Sequence, residues 1–254
     1  MIEYELIIPS ASRPHLLEPT LSTILKYVDQ MPKKIIISDD AAFRGKRTML
    51  EDALSRAIPA CVPFVFKYND PPIGHGNAVC WMLDQVSTGY IMYAQDDHVA
   101  MRPIPIANCL DVMDTYDLHH VRFNKRDTMD AKGDWKKIET TFGSTTLTVS
   151  DHWYFQTSMD RTSKFKIAAS TWKAGTSGNK LFEVCINEIF NGQWGSIAGL
   201  DTPDSLEQPM SQEVRRRRQK TFIYGTVGEE KYIYHIGGAP SDWALDRPGR
   251  TRAV

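Results

Sequence analysis

A chain of 254 residues is long enough to bury a sizeable core as one large domain or two small ones, and 42% apolar with 24% charged side chains excludes both a disordered chain and a membrane-embedded one. Thirty basic against thirty-one acidic residues leave a net charge of −1, so no global field draws the protein to nucleic acid or to an anionic membrane, and function has to come from local motifs. Acidic residues ahead of a short apolar run at the N-terminus are the wrong order for a secretory signal, and no stretch approaches the roughly 18 apolar residues of a spanning helix.

A soluble, cytoplasmic protein is therefore expected. Cys61, Cys80, Cys109 and Cys185 are scattered among apolar neighbours without a Cys-x-x-Cys pair, and they read as buried free thiols.

In chain order, Glu5-Leu6-Ile7-Ile8-Pro9 predicts a buried strand closed by proline. Residues 16–31 predict a helix from the spacing of Leu17, Leu21, Ile24, Leu25 and Val28, and residues 34–38 a second strand running into Asp39-Asp40. A helix over 48–57, a strand over 62–68, a helix over 77–86 and a strand over 90–94 follow, the last running into Gln95-Asp96-Asp97-His98. Trp81 falls inside the third helix and reads as core.

Strands that are continuously apolar are expected where helices cover both faces of a parallel sheet. Ligands of such sheets bind beyond the carboxyl ends of the strands, so residues 9–13, Asp39-Asp40 and residues 96–98 should converge on one crevice.

Beyond residue 100 the periodicity weakens. A helix is predicted over 177–191 from Leu181, Val184, Cys185, Ile189 and Phe190, and a strand over 231–235. Residues 199–212 with the basic run 215–220 suggest a mobile loop or loosely packed connection. The expected organisation is a single domain, 1–254, with a donor half over 1–100, an acceptor half over 101–240 and a tail over 241–254.

The chemistry concentrates first at Asp96-Asp97. Carboxylates at a strand end can hold a hard divalent cation such as manganese or magnesium, although two solvated capping aspartates would look the same in isolation. The order of Pro9-Ser10-Ala11-Ser12-Arg13, Ser38-Asp39-Asp40, Gly74-His75-Gly76-Asn77 and the Asp-Asp strand resembles the donor half of the family-two GT-A glycosyltransferases. That resemblance implies a GT-A α/β fold with a Rossmann-like, mostly parallel central sheet and helices on both faces. It also implies a nucleotide diphosphate sugar as donor.

By the same resemblance Pro9, Ser10 and Arg13 line the nucleotide pocket, Asp39 or Asp40 faces the base, and Asn77 shapes the donor site at a helix start; His75, between two glycines, reads either as a phosphate contact or as a loop histidine without a role. Asp96 and Asp97 match the last two carboxylates of the metal motif, and Gln95 stands where the first would be, an amide without the usual charge. Tyr232-Ile233-Tyr234-His235-Ile236-Gly237 resembles the element that closes related active sites, which makes His235 a metal ligand suited to manganese more than magnesium.

Transfer to a hydroxyl also needs a base. On the likeness of Asp151-His152-Trp153 and Leu181-Phe182-Glu183 to the acceptor half of the superfamily, Glu183 is the first choice, Glu188 the second and Asp151 the third, with surface ion pairs as the plain alternative for each. Trp153 is a candidate aromatic platform.

Arg122, Lys125 and Arg126, and the run containing Arg215 and Arg216, either bind an anionic acceptor or solvate an edge. With a small, stand-alone chain they resemble viral and phage-type enzymes that glycosylate hydroxymethylated pyrimidines in DNA. A DNA acceptor, in the host cytoplasm if the protein is viral, is therefore slightly preferred over polysaccharide or protein. The rivals are a nucleotidyltransferase, disfavoured by the lack of glycine after the first strand, and a non-catalytic nucleotide-sugar binding module.

Overall fold

The computed structural model describes residues 1–41, 45–123, 139–149, 156–173, 182, 221–225 and 230–236. Its elements are β1 (Tyr4–Ser10), α1 (Pro14–Tyr27), β2 (Ile35–Asp40), α2 (Arg47–Ala57), β3 (Phe64–Asn69), α3 (His75–Gln85), β4 (Tyr90–Tyr93), β5 (His98–Ala100), α4 (Ile106–Thr115), β6 (His120–Arg122), β7 (Glu139–Phe142), β8 (Thr145–Val149), β9 (Ser158–Arg161), α5 (Thr162–Lys173), β10 (Thr221–Tyr224) and β11 (Ile233–His235). Nine strands form one sheet in the order β3-β2-β1-β4-β9-β6-β10-β8-β7, and β11 pairs with β5 in a separate ribbon. Among the described strands of the large sheet, β8 and β9 alone run against the rest.

The apolar runs of β1, β2 and β4 are continuous because both faces of the sheet are covered. Side chains alternate across a strand. Leu6, Ile8, Ile35, Ile37 and Met92 therefore pack with Leu17, Leu21 and Ile24 of α1, Leu50 and Leu54 of α2 and Leu110 of α4. Ile7, Ile36, Ile91 and Tyr93 pack on the other side with Val79, Met82 and Leu83 of α3 and Phe165 of α5. Each fully buried Leu or Ile contributes about 1.5–3 kcal/mol.

Pro14 opens α1, a position where its missing N–H costs nothing. The helix ends at Tyr27, short of the predicted residue 31, because Val28 turns to extended backbone and bridges to Ile104. Asp39 and Asp40 lie inside β2, not beyond it.

Three further expectations meet the structure here. Trp81 is only partly buried, packed against the second core with the Lys67 ammonium 5.0 Å from its ring centre. Cys80 and Cys109 are buried free thiols, whereas Cys61 is exposed, in a turn closed by the Val62 N–H donating to the Pro59 carbonyl at 2.9 Å. Cys185 and nearly all of the helix predicted over 177–191 lie outside the described residues; Phe182, which is described, is buried and meets Trp172 edge-on with ring centres 5.2 Å apart. No helix among the described residues is long and apolar enough to cross a membrane.

Gly76, in the first turn of α3, lets that helix lie close against Trp172 of α5: a Cβ there would sit 2.8 Å from Trp172 Cη2 and 2.9 Å from Cζ2. A Gly76→Ala chain gains helix propensity but forces the indole aside. Its net effect should be a loss of about 1–3 kcal/mol in urea unfolding, relieved when Trp172→Ala is added.

Candidate active site

Sheet register sets the carboxyl ends of the strands side by side. Ser10 lies opposite Asp39, Asp39 opposite Tyr68, and Asp40 opposite Asn69. Across β4, Tyr93 lies opposite Ser158, which in turn faces Arg122.

The chain leaving β1 makes a tight turn in which Ser12 adopts a left-handed conformation, φ 57°. Asp39 holds it there, accepting the Ser12 backbone N–H at 2.7 Å and its hydroxyl at 3.0 Å. That turn aims Arg13 at the end of β4. Its Nε donates to Asp96 Oδ2 at 3.2 Å, one terminal nitrogen contacts Asp96 Oδ1, and the other reaches Asp97 Oδ2 at 3.1 Å. Asp96 also accepts from Ser10 Oγ and from the Ala11 N–H, each at 3.2 Å, while Thr20 Oγ1 holds its carbonyl at 3.0 Å.

Burial sets the protonation of these groups. It pushes Asp96 above the ordinary carboxylate range despite the Arg13 guanidinium beside it. Asp97 is also partly desolvated, yet the hydrogen bond from His235 and the charge of Arg13 outweigh burial and hold it below that range. Asp39 is raised, by burial acting against its bonds to Ser12.

Asp97 and His235 are 138 positions apart in the chain and meet through the small ribbon. In it His235 lies directly opposite His98, the Met101 N–H donates to the Tyr232 carbonyl at 2.9 Å, and the Ile236 N–H donates to the Asp97 carbonyl at 2.8 Å. His235 Nε2 is thereby 3.1 Å from Asp97 Oδ2, and His98 Nε2 is 3.9 Å from Asp97 Oδ1. The two imidazoles stand edge to face with ring centres 5.4 Å apart. One ligand atom from each of Asp97, His98 and His235 lies within 4.8 Å of the others. Asp97 Oδ1 is buried and accepts no hydrogen bond from the described residues.

The other predicted residues are placed as follows. Pro9 is buried within β1, and Gln95 is half-buried where β4 ends, its carbonyl accepting the His98 N–H at 3.3 Å. Asp40 accepts the N–H groups of Ile73 and Gly74, both at 2.7 Å, which fastens the turn into α3. Asn77 is exposed and braces the same turn through the Ile73 carbonyl at 2.8 Å, and His75 is the exposed first residue of α3.

Arg122 departs from its reading as an edge or acceptor residue: it is 3% exposed, facing Gln156 Oε1 at 3.5 Å. The cause is β9, which covers the side of β6 that the sequence left open. Asp151, Trp153, Glu183, Glu188, Lys125, Arg126, Arg215 and Arg216 lie outside the described residues. Sequence reasoning placed His98 and Ser12 in the crevice without giving either a role, and it passed over Thr20 and Thr157. For His98 the signal was present, four residues past the end of the predicted apolar strand and adjacent to Asp97.

Comparison with solved structures bears on this arrangement. S. aureus TarS residues 1–349 in complex with UDP superposes with a TM-score of 0.55 at 10% identity, over 96% of this chain and 63% of that one. The mannosyltransferase PcManGT from Pyrobaculum calidifontis, in complex with GDP-Man and Mn2+, gives 0.52 at 12% identity over 91% and 58%. The fold is of the GT-A type.

A third match, 4-diphosphocytidyl-2C-methyl-D-erythritol synthase from Anaerococcus prevotii DSM 20548, gives 0.52 at 12% identity and covers 97% of both chains. The present chain spans 38% of the longer TarS chain and 63% of its 1–349 form. No protein-family model matches the chain, and no curated protein sequence does.

Removing Arg13 would leave two desolvated carboxylates without their cation. Arg13→Ala should therefore lose about 3 kcal/mol at neutral pH. The loss should shrink as pH falls from neutrality, because Asp96, already raised, protonates before an ordinary carboxylate would and then no longer needs a counter-charge. Chemical unfolding at a series of pH values checks both the size and the direction.

Proposed function

We propose that this chain is a metal-dependent glycosyltransferase that moves a sugar, with inversion, from a nucleoside diphosphate to an acceptor hydroxyl. The observation that carries the reading is the meeting of Asp97 with His235 at the carboxyl edge of a GT-A sheet. A divalent ion fits there, because the buried Oδ1 of Asp97 accepts no hydrogen bond from the described residues. Asp97 and His235 would hold the ion, and a bound divalent ion supplies Lewis-acid neutralisation of the departing diphosphate.

This chain's own residues do the rest. Asp96, fixed by Arg13, Ser10 and Ala11, keeps the strand end rigid. Pro9, Ser10, Arg13 and Asp39 border the nucleotide, with Asp40 and Asn77 shaping the turn beside it. On the sequence pattern, Glu183 takes the acceptor proton, with Glu188 and then Asp151 as alternates, and Trp153 offers a stacking surface.

For the acceptor we keep hydroxymethylated pyrimidine in DNA ahead of polysaccharide or protein. The support is Lys125, Arg126 and the run with Arg215 and Arg216; buried Arg122 no longer contributes to it. DNA binding of this kind should weaken steeply as salt rises from 50 to 200 mM (roughly 10³-fold or more for six phosphate contacts), with label transferred to hydroxymethylated but not plain DNA. Salt-independent behaviour with no labelled DNA removes that acceptor.

The third structural match motivates a second reading, nucleotidyl transfer. It is disfavoured by the loop after β1, where the N–H groups of Ala11 and Ser12 already serve Asp96 and Asp39 instead of cradling a triphosphate. A donor screen with and without Mn2+ separates the two, since sugar transfer or hydrolysis releases a nucleoside diphosphate and nucleotidyl transfer releases pyrophosphate. In that screen Asp97→Ala should lower turnover on the order of 10³-fold, and chelation should abolish it.

A further inference from the structure

Resting on the metal reading above, we propose that His98 is a direct ligand of the ion, so that two imidazoles and one carboxylate grip it from one side, and that Thr157 positions His98 for the task. Four observations converge. His98 and His235 are directly opposite partners in the β5–β11 ribbon, which puts both rings on one face of it. His98 is 3% exposed, so its imidazole is held in place by packing.

Its Nδ1 lies 3.0 Å from the hydroxyl of fully buried Thr157, the residue leading into β9. With Nδ1–H donated to that oxygen, Nε2 carries the lone pair, and Nε2 is the atom turned toward Asp97. The spacings also suit an ion. Ligand atoms at roughly 2.1 Å from a metal are about 3 Å apart when adjacent and about 4.2 Å when opposite. His235 Nε2 lies 3.1 Å from Asp97 Oδ2, His98 Nε2 lies 3.9 Å from Asp97 Oδ1, and one ligand atom from each residue lies within 4.8 Å of the others, close enough for the three to share an ion.

The chemistry of this ligand set differs from that of a carboxylate-only site. Two imidazoles with one carboxylate favour manganese, iron, cobalt or zinc, while magnesium prefers oxygen. The site is therefore selective for a transition-series ion, and the missing acid at Gln95 is compensated by nitrogen ligation at His98.

The test is Mn2+ binding to the full chain, followed by loss of the free-ion EPR signal, alone and with UDP or GDP added. Spin-echo modulation of the bound ion counts coordinated imidazole nitrogens. Wild-type protein should show two, and His98→Gln and His235→Gln one each. Mn2+ affinity should fall about 10-fold or more in His98→Gln and by a similar factor in Thr157→Val. A 100-fold excess of Mg2+ should fail to displace the manganese.

One imidazole in the wild-type spectrum overturns the assignment without needing any variant to fold. So does unchanged binding by His98→Gln where Asp97→Asn and His235→Gln lose it; both results leave the wider metal reading standing. Unchanged binding by Thr157→Val removes the positioning role of Thr157. No bound Mn2+ in wild-type protein under any condition overturns the metal reading together with this inference.

Discussion

Two adjacent carboxylates, Asp96 and Asp97, are buried at the end of a central strand, and the site is organised around that cost. Desolvating a carboxylate costs several kcal/mol unless charge and hydrogen bonds replace the lost water. Arg13 supplies one positive charge to the pair, and it arrives only because Ser12 takes a left-handed turn that Asp39 fastens. Asp96 is then saturated by Arg13, Ser10 and Ala11, while one buried oxygen of Asp97 accepts no hydrogen bond from the described residues. The negative charge left over sits on the carboxylate that His235 approaches.

The topology explains how so distant a histidine comes to that place. β4 is central in the sheet, and the chain after it turns back at once into β5, too short to stand alone. β11 completes the ribbon, and the backbone bond from Ile236 to the Asp97 carbonyl fixes its register. Slipping that register by one residue would turn His235 to the opposite face. Thr157 enters from the start of β9, the strand that runs antiparallel beside β4. The site thus joins four separate stretches of chain at one edge.

What could be read from the sequence follows from these same physics. β1, β2 and β4 are legible because strands covered on both faces need unbroken apolar runs, and Asp96-Asp97 is legible because such a run ends abruptly in charge. β6 and β9 are harder to read, because buried polar residues alternate with Val121 and Met159 there: His120 Nδ1 and the Ser158 hydroxyl each lie 2.7 Å from the buried Asp160 carboxylate. Missing β9 also made Arg122 look like an edge residue. Asp39 and Asp40 were visible as candidates, but whether a carboxylate faces a ligand or its own loop depends on the turns after β1 and before α3, and no local pattern records that. His98 was placed in the crevice but given no ligand role, because its partner across the ribbon is far away in sequence.

The hydrogen bonding of the loops also bears on how a diphosphate would be met in the proposed reaction. Phosphate sites on α/β sheets commonly use free backbone N–H groups at a strand-to-helix turn. Here Ala11 and Ser12 donate to Asp96 and Asp39, and Ile73 and Gly74 donate to Asp40, so these four donors are spent on the protein's own carboxylates. Charge compensation for a diphosphate then falls to whatever Asp97 and the histidines hold and to cationic side chains that reach over the edge. In the proposed reaction that division of labour would tie the ion to donor binding as well as to bond cleavage, because the acids that build the loops take up four backbone groups that could otherwise share the task.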